Sequence, residues 1–275
     1  MRYHIKYPFK FFLYFFIFTL IISIFTACIN APYTSRKQFV ITSKQEENQL
    51  GEKAWKEILS KEKISGNTQY NAAIQRVGKH IANAVNDKSW NWEFKVIDSQ
   101  EVNAFCLSGG KIAVYAGMFK YINNDAELAT IIGHEVGHAI ARHFGERLTQ
   151  LYAQELGGNM LAIGLALADL PSDWGMAYGL ASNLGFILPY SREHEYESDY
   201  IGIMLMAKAG YNPKAAIHFW EKFSKLSNYG PIKEFFVTHP MGEKRVKELK
   251  LLLPEALKVY NQNPDKLNLG HTIKN

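Results

Sequence analysis

Apolar residues recur at helical spacing over much of the chain. Leu50, Ala54, Ile58 and Leu59 stand among charged residues in 44–63, and Ile74, Val77, Ile81 and Val85 do the same in 68–87. Both patterns place the apolar side chains on one face of a helix. Ser65-Gly66-Asn67 separates the two as a turn. The period then shortens. Trp92 to Ile97 alternates mostly in twos and reads as a strand, Ser108-Gly109-Gly110 as a turn, and Lys111 to Tyr115 as a second strand. Residues 92–115 are therefore expected to form a small sheet.

Helical spacing returns after Asn123-Asn124-Asp125, a start signal with Glu127 in the first turn, and is expected to persist to about Tyr152. Residues 156–188 are Gly-rich and apolar but broken by Asp169, Pro171 and Asp173; buried helices or a cover over a cleft fit them better than a membrane span. Ser191 is expected to cap a helix over 192–209 that Gly210 ends. Asn212-Pro213 opens another helix to about Leu226, and a last amphipathic helix covers 243–260, kinked or broken at Pro254. The whole predicts an α+β, mostly helical single domain.

The first 27 residues stand apart. Arg2, Lys6 and Lys10 precede an uncharged apolar run from Phe11 to Ile29, followed by a polar stretch, which is the layout of a secretory signal. Phe25-Thr26-Ala27-Cys28 resembles a bacterial lipobox with Phe in the usual Leu place, which makes Cys28 the expected lipidation site. An uncleaved membrane helix is the alternative. The expected division is 1–27 signal peptide or anchor, 28–43 linker, 44–260 catalytic domain and 261–275 tail. The +5 net charge owes three basic residues to this leader; the remainder, 28 basic against 26 acidic, makes no electrostatic case for nucleic acid. With Cys28 lipidated, Cys106 has no disulfide partner and reads as a small buried apolar residue.

Chemistry concentrates at His134-Glu135-Val136-Gly137-His138, inside the third long helix. Histidines four apart project from one helix face and can share a zinc ion, while Glu135, a quarter-turn away, is placed to act on a water beside the metal. Catalytic zinc ordinarily has a third protein ligand. The acids at 193–199 offer two pairs at four-residue spacing, Glu195 with Asp199 and Glu193 with Glu197, and spacing alone does not choose between them. His143 lies a further 140° round a continuous helix from His138 and is not expected to be a ligand.

His134–His138 followed by Ser191-Arg192-x-x-Glu195-x-x-x-Asp199 resembles the HtpX/BepA/LoiP group of zinc metallopeptidases, which includes the CAAX prenyl-protein proteases and the mitochondrial OMA-type protease. Asn103 to Gly110 with Lys111 to Val114, Leu188-Pro189-Tyr190, and His239-Pro240 with Arg245 extend the resemblance over roughly 45–253; Ser108 departs from a common Pro. The resemblance implies a zincin-like domain whose small sheet lies next to the metal-binding helix. It further implies one zinc ion held by His134, His138 and Glu195, Asp199 orienting a ligand imidazole, and Glu135 as general base for attack of a zinc-activated water on a peptide bond. His239 and Arg245 become candidates for transition-state help, or His239 for a switch that blocks the metal. The strand 111–115 is the expected substrate edge, with Ala113 and Tyr115 near the cleft. Family analogy points to unfolded or misassembled envelope proteins as substrates, envelope assembly machinery as a partner, and the periplasmic side of a bacterial membrane as location. The alternative function is a latent chaperone-like or binding lipoprotein with its zinc site blocked by His239.

Overall fold

A computed structural model describes residues 28–167, 191–226, 230, 232–240 and 243–273. The expected leader, 1–27, and most of the apolar segment 156–188 lie outside the described residues. In chain order the elements are β1 (Cys28–Asn30), β2 (Lys37–Phe39), α1 (Lys44–Lys61), α2 (Thr68–Val85), β3 (Glu93–Ile97), β4 (Ala104–Leu107), β5 (Lys111–Tyr115), a 3-10 turn (Ala116–Tyr121), α3 (Asp125–Ile140), α4 (His143–Leu167), α5 (Arg192–Lys208), α6 (Lys214–Ser224), α7 (Ile232–Thr238) and α8 (Glu243–Gln262). The fold is the mostly helical one with a small sheet that the periodicity implied. Among the described residues no helix is long and apolar enough to cross a membrane.

Local chemistry sets several boundaries. Ser43 and Glu46 form a reciprocal capping box at α1. Asn67, Asn124 and Ser191 accept backbone N–H groups at the starts of α2, α3 and α5, as their sequence positions suggested for the last two. Pro254 lies inside α8, which continues to Gln262 instead of breaking.

Three strands form the main sheet, in the order β3-β5-β4. β3 runs parallel to β5 and β4 antiparallel to it. β4, which periodicity does not single out, is thus an edge strand and β5 the centre. One face packs on α2 and α3 through Val96, Ile112, Val114, Ile74 and Ile132, all inaccessible to solvent. Trp55 of α1 covers the other face with Ile97 and Ala113.

α3 is buried along nearly its whole length and crosses α5 at very short range. A Cβ on Gly133 would stand 2.9 Å from the Gly202 carbonyl oxygen, and one on Gly137 would stand 2.8 Å from that of Ser198. Real Cβ atoms do not sit so close to backbone, so only glycine permits this approach. Gly137→Ala is expected to force the helices apart at a cost of about 1–3 kcal/mol, read as a lower midpoint in chemical denaturation. An unchanged midpoint would show that the crossing is slack.

α3 does not run on to Tyr152. It stops at Ala141, and Arg142 takes a left-handed conformation, φ 60°, before α4 begins. Hydrogen bonds from the Arg142 guanidinium to the Glu47 carboxylate and the Thr42 carbonyl hold that turn. The break redirects His143.

Both flanking segments are part of the fold. Residues 28–43, read from sequence as a linker, contain the β1–β2 hairpin and insert Ala31 and Val40 into the interior. The tail after Gln262 returns to the start of α3. There the Asp125 N–H donates to the His271 carbonyl, the His271 N–H donates to the Asp125 carboxylate, and the Ile273 N–H donates to the Asn123 carbonyl. Arg76 of α2 grips the same Asp125 carboxylate with two hydrogen bonds of 2.8 and 2.7 Å.

Candidate active site

The α3–α5 crossing brings His134 and His138 over Glu195 and Asp199. The two imidazoles face each other, Nε2 to Nε2, at 3.2 Å. Glu195 closes the group, with one carboxylate oxygen 3.5 Å from His134 Nε2 and the other 3.3 Å from His138 Nε2. A third imidazole joins from a different direction. α7, a short helix signalled by Ile232, Phe235 and Phe236, ends at His239, whose ring stacks on Phe235 at 4.7 Å. His239 Nδ1 lies 3.3 Å from the Glu195 carboxylate. One donor atom from each of His134, His138, Glu195 and His239 falls within 4.8 Å of all the others, and all four residues are buried.

Asp199 stands behind this group, 3.0 Å from His134 Nδ1. Arg245 of α8 is almost wholly buried between the acids. It makes two 2.8 Å hydrogen bonds to Asp199 and one of 2.6 Å to Glu195, with its guanidinium over the Trp220 ring. Three of its N–H groups are committed to these acids, so it holds Glu195 and Asp199 in place, and it does not line the cleft. That corrects the expectation of direct transition-state contact for Arg245.

The electrostatics suit a cation. Among the described residues, three buried carboxylates, Glu135, Glu195 and Asp199, share a single permanent cation, Arg245. Burial opposes ionisation of Glu195 and Asp199, yet Arg245 and the neighbouring histidines hold both well below the usual carboxylate range. Burial likewise opposes charge on His134, but Asp199 and Glu195 raise it to about 9. Burial keeps His138 neutral, well below its ordinary value. The centre thus attracts positive charge and presents nitrogen and carboxylate donors of the kind zinc prefers.

Glu135 differs from its neighbours. Burial raises its carboxyl above the ordinary value, against the pull of His239 and His134. Its Oε1 has no hydrogen-bond partner among the described residues, and His239 Nε2 is 3.7 Å away. An unpaired buried carboxylate oxygen is costly, and this one is free to meet an incoming polar group.

A cavity of about 280 Å³ opens on this carboxylate. It is bounded by the β4 edge (Ala104 to Leu107), by Leu50, Gly51 and Ala54 of α1, by Phe144 and Arg147 of α4, and by His138 and His239. The strand edge beside the cavity is therefore β4 and not the 111–115 strand. Ala113 is fully buried against Trp55, and β5 is paired on both sides, with no free backbone groups to offer a peptide. Tyr115 packs edge-on against Phe105 on the same covered face. Cys106 lies on the cleft wall; burial and the nearby Glu135 charge push its thiol well up, which disfavours the thiolate.

Sequence reasoning missed the β4 and α1 walls and the network behind His138. Gly51 was the available signal for α1, since any Cβ there would collide with the Ser108 carbonyl.

Residues 68–252 match Peptidase family M48. The chain belongs to that family. It is 41% identical to the mitochondrial metalloendopeptidase OMA1 of Arabidopsis thaliana over 174 residues, which are 62% of this chain and 34% of the relative. It is 32% identical to that of Schizosaccharomyces pombe over 236 residues, 84% of this chain and 68% of the relative. It is 26% identical to the beta-barrel assembly-enhancing protease of Escherichia coli over 191 residues, 66% of this chain and 38% of the relative. The chain thus spans only about a third of two of these relatives. The resemblance read from the motifs holds at the level of the family: this is a zinc metalloendopeptidase domain with a zincin-like fold.

Proposed function

We propose that the protein cleaves internal peptide bonds of misfolded or misassembled envelope proteins from the periplasmic side of a bacterial membrane, to which lipidated Cys28 or an uncleaved leader anchors it. The observation that carries the catalytic part is the unpaired Glu135 carboxylate, set between the His134/His138/Glu195 donors and a cleft along a free strand edge. The anchor and location rest on the basic, apolar and lipobox-like order of residues 1–28. The substrate class draws support from the name of the Escherichia coli relative, a beta-barrel assembly-enhancing protease, which also makes envelope assembly machinery the natural partner. A cleft of about 280 Å³ suits an extended segment and not a folded domain.

In this reading the substrate pairs its backbone with β4 as an added strand. Apolar side chains settle against Leu50, Ala54, Phe105 and Leu107. A zinc ion held by His134, His138 and Glu195 would supply Lewis acidity to water and to the scissile carbonyl. Glu135 removes a proton from the attacking water, and its raised affinity for protons suits it to hold that proton. It then delivers the proton to the departing amine. Asp199 and Arg245 keep His134 and Glu195 in place throughout.

His239 favours a second, regulatory reading. Its imidazole already stands among the donors, 3.3 Å from Glu195. As a fourth ligand it would occupy the place water needs and leave a latent, chaperone-like protein. Casein cleavage by His239→Ala separates the roles. The switch reading expects activity equal to or above that of the unaltered chain, and a transition-state role expects loss with zinc retained.

A further inference from the structure

Helix α5 carries a third buried acid, Glu197, which neither joins the donor group nor lines the cleft. Its carboxylate accepts a 2.9 Å hydrogen bond from His143 Nε2, another of 2.9 Å from Arg36 Nε, and one from the Thr34 hydroxyl. His143 in turn brings its Nδ1 to within 2.8 Å of His138 Nδ1. This contact exists only because the left-handed Arg142 breaks the helix and swings His143 back toward the ligand.

These contacts form a continuous path from Arg36 to His138. An ionised carboxylate only accepts, so His143 Nε2 carries the hydrogen. His143 Nδ1 faces His138 Nδ1, with the Ser198 hydroxyl 3.5 Å away. A His138 that donates from Nδ1 along this path keeps its lone pair at Nε2, the nitrogen facing His134 and Glu195. Asp199 stands in the corresponding place behind His134, 3.0 Å from its Nδ1. Two acids of one helix thus back the two histidines, one directly and one through an intermediary.

The far end of the relay lies in the N-terminal hairpin. Arg36 joins Glu197 to Glu146 of α4, with two further hydrogen bonds of 3.1 and 2.8 Å, and His194 donates to the same Glu146 at 2.9 Å. We propose that Arg36, Glu197 and His143 form a positioning relay that fixes His138 with its lone pair at Nε2, so that the hairpin segment 31–38 tunes how tightly the site holds zinc. The inference rests on His134, His138 and Glu195 being the zinc site.

The test uses the full-length chain in detergent. Zinc dissociation constants are measured by chelator competition for the unaltered chain and for Arg36→Ala, Glu197→Ala and His143→Ala. Metal-free samples labelled with ¹⁵N-histidine report the tautomers by NMR. Outer partners of metal ligands ordinarily change affinity by about 10–100-fold. A loss of that size is expected for His143→Ala and Glu197→Ala, with a smaller loss in the same direction for Arg36→Ala. His138 should be Nδ1-protonated in the unaltered chain and mixed in the variants. Arg36, with a side chain 21% exposed, carries the test should His143→Ala fail to fold. Unchanged zinc affinity in folded Arg36→Ala and Glu197→Ala overturns the relay, as does an Nε2-protonated His138 in the unaltered protein. Failure of the unaltered chain to bind zinc would instead overturn the site on which the relay depends.

Discussion

Replacing Glu135 by Gln leaves zinc content at the level of the unaltered chain and lowers the peptide cleavage rate by about 10²–10⁴-fold, the usual contribution of a positioned general base. The expectation follows from the division of labour on α3. His134 and His138 point their Nε2 atoms at each other and at Glu195, whereas the Glu135 carboxylate faces the cleft beside the β4 edge with one oxygen unpaired. Gln matches the shape of Glu and cannot take a proton from water. Metal analysis and kcat/KM on a quenched peptide check the two halves separately. Full zinc with undiminished cleavage would remove Glu135 from the mechanism, and lost zinc would make it a ligand.

Arg245→Met is expected to destabilise the metal-free protein by about 3–5 kcal/mol, the typical result of removing one partner from a buried ion pair. Among the described residues, Arg245 is the sole permanent cation between Glu195 and Asp199, with hydrogen bonds of 2.6 and 2.8 Å to them, and all three are nearly inaccessible. Methionine fills similar space but leaves two acids facing each other without compensation. Zinc would replace part of the missing charge, so the stability gap between zinc-loaded and zinc-free protein should widen in this variant. Denaturant titrations of both forms measure the gap. A loss confined to a few tenths of a kcal/mol, with no change in the gap, would show that the acids find other partners.

The core of the site was legible because its chemistry is local. The four-residue spacings of His134 with His138 and of Glu195 with Asp199 are helix geometry written into the chain, and Asn124 and Ser191 announced where those helices begin. Pairing them needed the family resemblance, since Glu193–Glu197 has the same spacing. What stayed hidden depends on backbone events that periodicity does not encode. Arginine at a positive φ is an unusual break, and it is stabilised by Glu47, 95 positions away in the chain. A continuous helix would have turned His143 away from His138; the broken one brings its Nδ1 to 2.8 Å from His138 Nδ1. The choice of β5 as substrate edge failed for a related reason. Strand order is a long-range property, and a sequence that shows two strands cannot reveal that β4 pairs on the outer side of the second.

The tail that returns to Asp125 has a consequence for the timing of maturation. The catalytic helix begins under hydrogen bonds from His271 and Ile273, close to 150 positions later in the chain, and its far end is turned by Glu47 and Thr42. Contacts so distant in sequence close late and slowly. Synthesis must therefore run past Ile273 before both ends of α3 are secured. A nascent chain short of that point carries His134 and His138 without the frame that aligns them. The metal centre is thereby framed only after the segment that reaches Ile273 has been made, which keeps the protease inert while its own chain is incomplete.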